Sequence, residues 1–142
     1  MGTVKSILRK QGSAFISIPT TANVYKALER MVEHNIGALL VMDDEKFVGI
    51  FTERDYARKV ILKGKSSRDT LIQETMTENP ITVTPDHTIE ACMDLMTNHS
   101  FRHLPVVQGN QLVGLISILD VVKHVIDEQK STINNLEKYI TG

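Results

Sequence analysis

The chain has 142 residues, of which 42% are hydrophobic and 23% are charged, as in an ordinary globular protein. The formal net charge of −1 excludes a chain-wide attraction to nucleic acid or to anionic lipid. No apolar run approaches the roughly 18–20 residues of a membrane span. Because the only cysteine is Cys92, no internal disulfide can form, and we expect a cytoplasmic protein that binds neither membrane nor nucleic acid.

The first half of the chain predicts an alternation of helices and strands. Apolar residues at positions i, i+3, i+4 and i+7 from Val24 to Met31 indicate a helix. Before it we predict a lead-in helix at residues 4–8 and a strand at residues 16–18. After it we predict a strand at residues 38–42, a turn at 43–46, a strand at 47–51 and a helix from residue 53 onward. A linker follows at residues 63–67, and a second lead-in helix at residues 72–76.

The second half repeats the first. Residues 16–60 align without a gap on residues 81–125, with Met31 on Met96 and Gly49 on Gly114. Each copy therefore has the element order β-α-β-β-α. In the second copy we predict a strand at residues 81–83, a helix at 89–96, a strand at 103–107, a turn at 108–111, a strand at 112–116 and a helix from residue 118 onward. Roughly 50–60 residues bury too little surface to be stable alone. We therefore predict an α/β (α+β) fold in which two repeats pack about a pseudo-twofold axis.

We divide the chain into a first repeat with its lead-in helix and linker (residues 1–66), a second repeat (67–130) and a C-terminal helical extension (131–142). Apolar positions along the last helix alternate spacings of four and three, which is typical of a coiled coil. They are Val122, Ile126, Gln129, Ile133, Leu136 and Ile140, of which only Gln129 is polar. This stripe either packs on its own domain or forms a subunit contact.

One motif occurs in both copies, where a strand runs into a helix. Residues 49–55 and 114–120 both read Gly, two apolar residues, Ser or Thr, any two residues, and Asp. The hydroxyl lies where free backbone N–H groups favour an anion, and the Asp one turn later can accept both hydroxyls of a ribose. The glycines would let a flat base approach the strand. The same pattern is a helix capping box, and the two interpretations are compatible.

These two motifs, with Arg-His-Leu-Pro-Val-Val at residues 102–107 and Met-Thr-Glu-Asn-Pro-Ile-Thr-Val at 76–83, resemble the CBS domain over residues 4–130. The resemblance implies a tandem CBS pair that binds AMP, ADP, ATP, NAD(H) or S-adenosylmethionine in the cleft between its repeats. In this family the Asp holds the ribose and the Ser or Thr lies near the ribose or phosphate. The implied contacts are Thr52, Asp55, Ser117 and Asp120, with Ile18, Val83, Ala38 and His103 around the adenine.

The two copies differ in charge around the motif. The first has Arg54 and Arg58, which could reach a phosphate, so we hypothesise that the Asp55 site holds the more highly charged phosphate group. A solvated helix face is the alternative. The second copy has Arg102 and His103 where the first has Gly37 and Ala38, and we include this pair among the candidates.

The function that follows is a non-catalytic regulatory module. It would sense cellular energy or redox state through an adenine nucleotide (AMP, ADP, ATP or NAD(H)) and signal to an unknown protein effector, and we expect a homodimer. The alternative is a structural dimerising adaptor with no physiological nucleotide. No nucleophile–base pair, metal-ligand set or cofactor loop indicates an enzyme or a catalytic cofactor. Cys92 aligns with Ala27 on an apolar helix face, so we predict that it lies in the core.

Overall fold

The structure, a computed structural model, describes residues 2–11 and 15–141 and confirms the α/β class and the repeated architecture. The helices are α1 (Val4–Gln11), α2 (Val24–His34), α3 (Glu53–Lys59), α4 (Ile72–Thr75), α5 (Ile89–His99) and α6 (Ile118–Thr141). The strands are β1 (Ser17–Pro19), β2 (Ala38–Asp43), β3 (Lys46–Thr52), β4 (Thr77–Glu78), β5 (His103–Gln108) and β6 (Gln111–Ser117).

The first repeat builds a four-stranded sheet in the order β1-β2-β3-β4. Strand β2 pairs parallel with β1 and antiparallel with β3, and β4 adds to the far edge of β3. The buried face of α2 carries Val24, Ala27 and Met31, which pack with sheet residues such as Leu39 and Phe51 into one apolar core. This sheet holds the end of β3, where the first motif lies.

The two long repeat helices begin and end at equivalent positions. Asn23 caps α2 by accepting a hydrogen bond from the Lys26 N–H at 2.9 Å, and Thr88 caps α5 in the same way through the Ala91 N–H at 3.0 Å. At the other end, Asn35 and Ser100 have positive φ values of 53° and 57°. The shared caps mark the same duplication as the sequence alignment.

Among the described residues, the sheet of the second repeat is smaller and consists of β5 and β6. The strand predicted at residues 81–83 is wrong in extent, since only Val83 forms a parallel bridge, with Val106. In the first repeat the Leu40 N–H donates to the Ile16 carbonyl at 3.2 Å. The position equivalent to Leu40 is Pro105, which has no N–H to donate, so the matching parallel hydrogen bond cannot form.

In the folded chain, each lead-in helix belongs to the same compact unit as the repeat that it does not precede. One unit comprises residues 15–81 and 109–112, and the other residues 2–11, 82–108 and 113–141. The Val4 N–H of α1 donates to the His87 carbonyl at 2.9 Å, and the Ile72 N–H of α4 donates to the equivalent Ala22 carbonyl at 2.8 Å. Each lead-in helix thus packs on the other repeat. The boundary predicted between residues 66 and 67 separates the two repeats along the chain, whereas the folded units exchange their lead-in helices.

The last helix, α6, is continuous over 24 residues, whereas its counterpart α3 has seven. All of residues 129–140 are exposed, so the interpretation that the apolar stripe packs on its own domain is wrong for this stretch. Gly142, the end of the predicted extension, lies outside the described residues. Over residues 2–11 and 15–141, no helix has both the length and the apolar character needed to cross a bilayer.

Candidate functional site

The first motif forms a closed capping box at the start of α3. The Asp55 N–H donates to Thr52 Oγ1 at 3.2 Å, and the Thr52 N–H donates to Asp55 Oδ2 at 3.0 Å. Thr52 Oγ1 also lies 3.2 Å from the same carboxylate oxygen. The capping interpretation is therefore confirmed, because both side chains bond the free N–H groups of the helix start.

Two residues outside the motif reach the other oxygen of Asp55. The Thr77 hydroxyl of β4 donates to Oδ1 at 2.9 Å, and Lys59 Nζ lies 3.1 Å from the same atom. Lys59 also donates to the Met76 carbonyl at 3.4 Å. Asp55 is only 6% exposed. We refer to Thr52, Asp55, Lys59 and Thr77 as the Asp55 network.

Sequence reasoning did not identify Lys59 or Thr77 as neighbours of Asp55. The available signal for Lys59 was its position four residues after Asp55, which places oppositely charged side chains together on a helix. Thr77 has no local signal, because it lies 22 positions away and is brought in by the pairing of β3 with β4.

The second motif has the same capping box with fewer partners. The Ser117 N–H donates to Asp120 Oδ2 at 2.7 Å, and the Asp120 N–H donates to Ser117 Oγ at 3.1 Å. Among the described residues, Asp120 Oδ1 accepts no hydrogen bond and meets no cation. Asp120 is half-buried, so its side chain is partly accessible to solvent.

The strand residues predicted to surround an adenine are mostly buried in their own units. Ile18 and Val83 are each 1% exposed, and Ala38 is fully buried opposite Thr52 in the β2–β3 register. His103 is half-buried at the start of β5. None of this tests an adenine contact, and the four residues stay predictions.

The basic candidates lie at the surface. Arg54 and Arg58 of α3 are exposed, and within the described part of the chain neither forms an ion pair. The Arg102 side chain is exposed, and its carbonyl accepts the Ile118 N–H at 2.8 Å. This bond joins the start of β5 to the start of α6, so Arg102 is held beside the second motif by its backbone.

At both motif glycines, a neighbouring element packs closely against the position that a Cβ would occupy. A Cβ on Gly49 would lie 2.6 Å from the Thr77 carbonyl oxygen, and one on Gly114 would lie 2.7 Å from Leu8 Cδ2. The space is thus filled by β4 in one repeat and by α1 in the other. The expectation that the absent side chains leave room for a base is wrong on this side of the strand.

Two further features lie away from both motifs. Cys92 is fully buried, as predicted, and this burial raises the pKa of its thiol to about 11. An open depression of about 460 Å³ lies between α2 and the segment before β1, lined in part by Ser17, Lys26 and Arg30. It contains none of the predicted site residues.

Comparison with known proteins places this geometry in a family. The model described as "CBS domain" matches residues 4–62 and 72–127. The CBS domain-containing protein CBSX3, mitochondrial, of Arabidopsis thaliana is 37% identical over 99% of this chain and 72% of its own length.

Solved structures agree with that match. A protein with CBS domains from Burkholderia ambifaria MC40-6 has a TM-score of 0.86 at 47% identity, covering 89% of this chain and 96% of its own. The hexameric CBS-CP12 protein from bloom-forming cyanobacteria has a TM-score of 0.74 at 27% identity, covering 84% of this chain and 66% of its own.

Proposed function

We propose that this chain, which belongs to the CBS domain family, is a non-catalytic regulatory module that binds an adenine nucleotide and signals its presence to a protein effector. CBS-domain proteins are generally regulatory modules that bind adenosine ligands, and stand-alone ones are generally non-catalytic. AMP, ADP, ATP and NAD(H) share the adenosine that the motifs are proposed to recognise.

The observation that carries the proposal is the duplicated hydroxyl–carboxylate pair. In both repeats a strand ends at Thr52 or Ser117, and a capping box holds the Asp of the next turn beside that hydroxyl. A carboxylate accepts hydrogen bonds from hydroxyl donors, and a ribose offers two neighbouring ones. Rigid placement lowers the entropy cost of binding, which supports a ligand role alongside the capping role.

The phosphates of the nucleotide require cations. The exposed Arg54 and Arg58 are our candidates, because a guanidinium can donate two parallel hydrogen bonds to a phosphate. If they have this role, Arg58→Ala weakens ATP binding more than adenosine binding. Equal affinities for the wild type and Arg58→Ala would assign these arginines to a solvated helix face.

The test is thermal unfolding with AMP, ADP, ATP, NAD⁺, NADH and S-adenosylmethionine. A ligand at a hundredfold excess over its Kd stabilises the folded chain by about 2.7 kcal/mol. We expect a selective rise in Tm for one or two of them, and no rise for the control variant Asp55→Asn/Asp120→Asn. A panel that leaves the wild-type Tm unchanged contradicts the proposal.

The exposed stripe of α6 favours a second function, a dimerising adaptor. Ile126, Ile133, Leu136 and Ile140 are between 43% and 81% exposed, and such apolar residues at coiled-coil spacing gain by burial against another helix. The hexamer formed by the CBS-CP12 relative is compatible with self-association. We propose a homodimer through this stripe.

Light scattering coupled to size exclusion tests the homodimer. Leu136→Glu should give a monomer, while the matched control Lys138→Glu, off the stripe, should leave the dimer intact. A wild-type chain that is monomeric at high concentration contradicts this proposal. We also propose a cytoplasmic location. Because the Arabidopsis relative is named as mitochondrial, cell fractionation is the test of this location.

A further inference from the structure

We infer that the homodimer forms by antiparallel pairing of α6, with residues 129–140 of one copy lying against the same residues of a second copy in the reverse direction. This inference rests on the proposed homodimer and specifies the orientation and register of its helices. It identifies Lys130 and Glu137 as the residues that set the direction.

The part of α6 that a second copy can cover begins at residue 129. Before it, the helix packs on its own unit through the buried Val121 and His124. Lys10 of α1 also lies 3.6 Å from Asp127. Every residue from 129 to 140 is exposed, and we call this stretch the exposed segment. Its twelve residues span about 18 Å, or slightly more than three helical turns.

The two edges that flank the apolar stripe of α6 differ in charge. One edge, which we call the charged edge, consists of the residues that follow stripe positions 122, 129 and 136, namely Lys123, Lys130 and Glu137. The other, the neutral edge, consists of the residues that precede stripe positions 126, 133 and 140, namely Val125, Thr132 and Tyr139. Charges beside a coiled-coil stripe determine how two helices are oriented.

The direction of the second helix decides which edges meet. In a parallel pair each charged edge faces the neutral edge of the other copy, whereas in an antiparallel pair the two charged edges face each other. Lys130 and Glu137 are two turns apart in their own helix, beyond the three- and four-residue spacings at which helix side chains meet. Antiparallel pairing is therefore the arrangement that brings these opposite charges together.

Charge also selects the register of the antiparallel pair. When the exposed segments overlap over their full length, Lys130 of each copy lies opposite Glu137 of the other, which gives two ion pairs. A shift of one heptad that lengthens the overlap pairs Lys123 with Glu137 but places Lys130 opposite Lys130. A shift the other way places Glu137 opposite Glu137. Because like charges repel, full overlap of the exposed segments is favoured.

The same register suits the apolar stripe. Its two central layers pair Ile133 with Leu136, and its two end layers pair Gln129 with Ile140. The polar Gln129 then lies at an end of the pair, where water can bond its amide, and not in an inner layer. Ile133, Leu136 and Ile140 are 54%, 57% and 81% exposed, so each gains by burial in its layer.

Disulfide trapping tests the direction. Full chains carrying Gln129→Cys or Ile140→Cys are oxidised separately and as an equal mixture. Two cysteines can be bridged only when their Cα atoms lie within about 7 Å. In the antiparallel pair residue 129 faces residue 140 of the other copy and lies about 16 Å along the axis from its own counterpart. We therefore expect a cross-linked dimer from the mixture and none from either variant alone. The wild type, in which Cys92 is buried, is the control.

Charge reversal provides a second measure. Lys130→Glu and Glu137→Lys should each weaken the dimer about 5- to 30-fold, because two attractive contacts become repulsive. The combined variant restores both pairs, so we expect its affinity within about threefold of the wild type. The matched control Lys138→Glu makes the same charge change on the outer face of the helix and should alter the affinity less than twofold. Analytical ultracentrifugation over a dilution series gives these affinities.

The outcomes separate the orientation from the homodimer itself. Cross-linking of either cysteine variant alone, or equal dimer affinities for all the charge variants, would overturn antiparallel pairing while leaving the homodimer in place. Cross-linking of Gln129→Cys with Ile133→Cys would overturn the register. A wild-type chain that stays monomeric refutes both proposals, and sedimentation with phosphatidylglycerol vesicles would then show whether a lipid surface covers the stripe instead.

Discussion

Gly49→Ala should destabilise the first repeat by displacing β4. The added Cβ would lie 2.6 Å from the Thr77 carbonyl oxygen, against the 3.4 Å at which ordinary contacts begin, and 3.2 Å from Met76 Sδ. The backbone of β4 must move away, which weakens the pairing of Gly49 with Glu78 and of Ile50 with Thr77. It also draws the Thr77 hydroxyl away from Asp55.

The size of the effect can be worked out from these contacts. Overpacking costs about 1–3 kcal/mol and a weakened hydrogen bond about 0.5–1.5 kcal/mol, while replacing a strand glycine returns about 0.5–1 kcal/mol. We therefore expect a loss of about 2 kcal/mol in the free energy of unfolding, within a range of about 0.5–4 kcal/mol. Backbone strain does not contribute, because neither Gly49 nor Gly114 has a positive φ.

Gly114→Ala is the matched control. Within the described part of the chain its Cβ would meet the Leu8 side chain alone, closest at Cδ2, the far end of a flexible side chain, so we expect a loss within about 1 kcal/mol. Urea unfolding followed by circular dichroism gives both values from the midpoint and slope of the transition. If Gly49→Ala is as stable as Gly114→Ala, the close approach of β4 to Gly49 is not the reason for the glycine.

Two further predictions test the packing of the second repeat. Ile7→Ala in α1, where Ile7 is 3% exposed, should cost about 2–5 kcal/mol and reduce hydrogen-exchange protection in residues 89–107; a loss confined to residues 24–52 would contradict the exchange of lead-in helices. Burial raises the pKa of Cys92 from 9.0 to about 11, so the unfolded chain loses its thiol proton first as pH rises. Relative to Cys92→Ala, the free energy of unfolding should therefore be constant below pH 9 and fall by about 1.4 kcal/mol per pH unit from pH 9 to 11; a constant difference across that range would refute the pKa shift.

Most of the fold could be predicted from the sequence because its signals are local or periodic. The apolar spacing from Val24 to Met31 predicts a helix by itself, and the gapless alignment transfers each element of one repeat to the other. The capping boxes were also predictable, since a hydroxyl and a carboxylate three residues apart meet at any helix start. The strand at residues 81–83 was overestimated. The sequence shows that residue 105 is a proline, but only the pairing of the strands shows that its missing N–H is the one that would donate to the Ile81 carbonyl.

The contacts of the candidate site depended on the tertiary structure. Thr52 and Ser117 occupy the same place in the same motif, and the sequence treats their Asp neighbours alike. Only the pairing of β3 with β4 brings Thr77 to Asp55, and only the folded helix shows that His124, at the position equivalent to Lys59, lies 3.2 Å from Glu128 Oε1.

The sequence alone therefore determined the repeat, the class of fold and the identity of the motif residues, because these follow from spacings of a few residues along one chain. The tertiary structure decided which side chains meet Asp55 and which lead-in helix packs on which repeat. Those outcomes depend on groups far apart in sequence, whose positions are set by the packing of the whole unit.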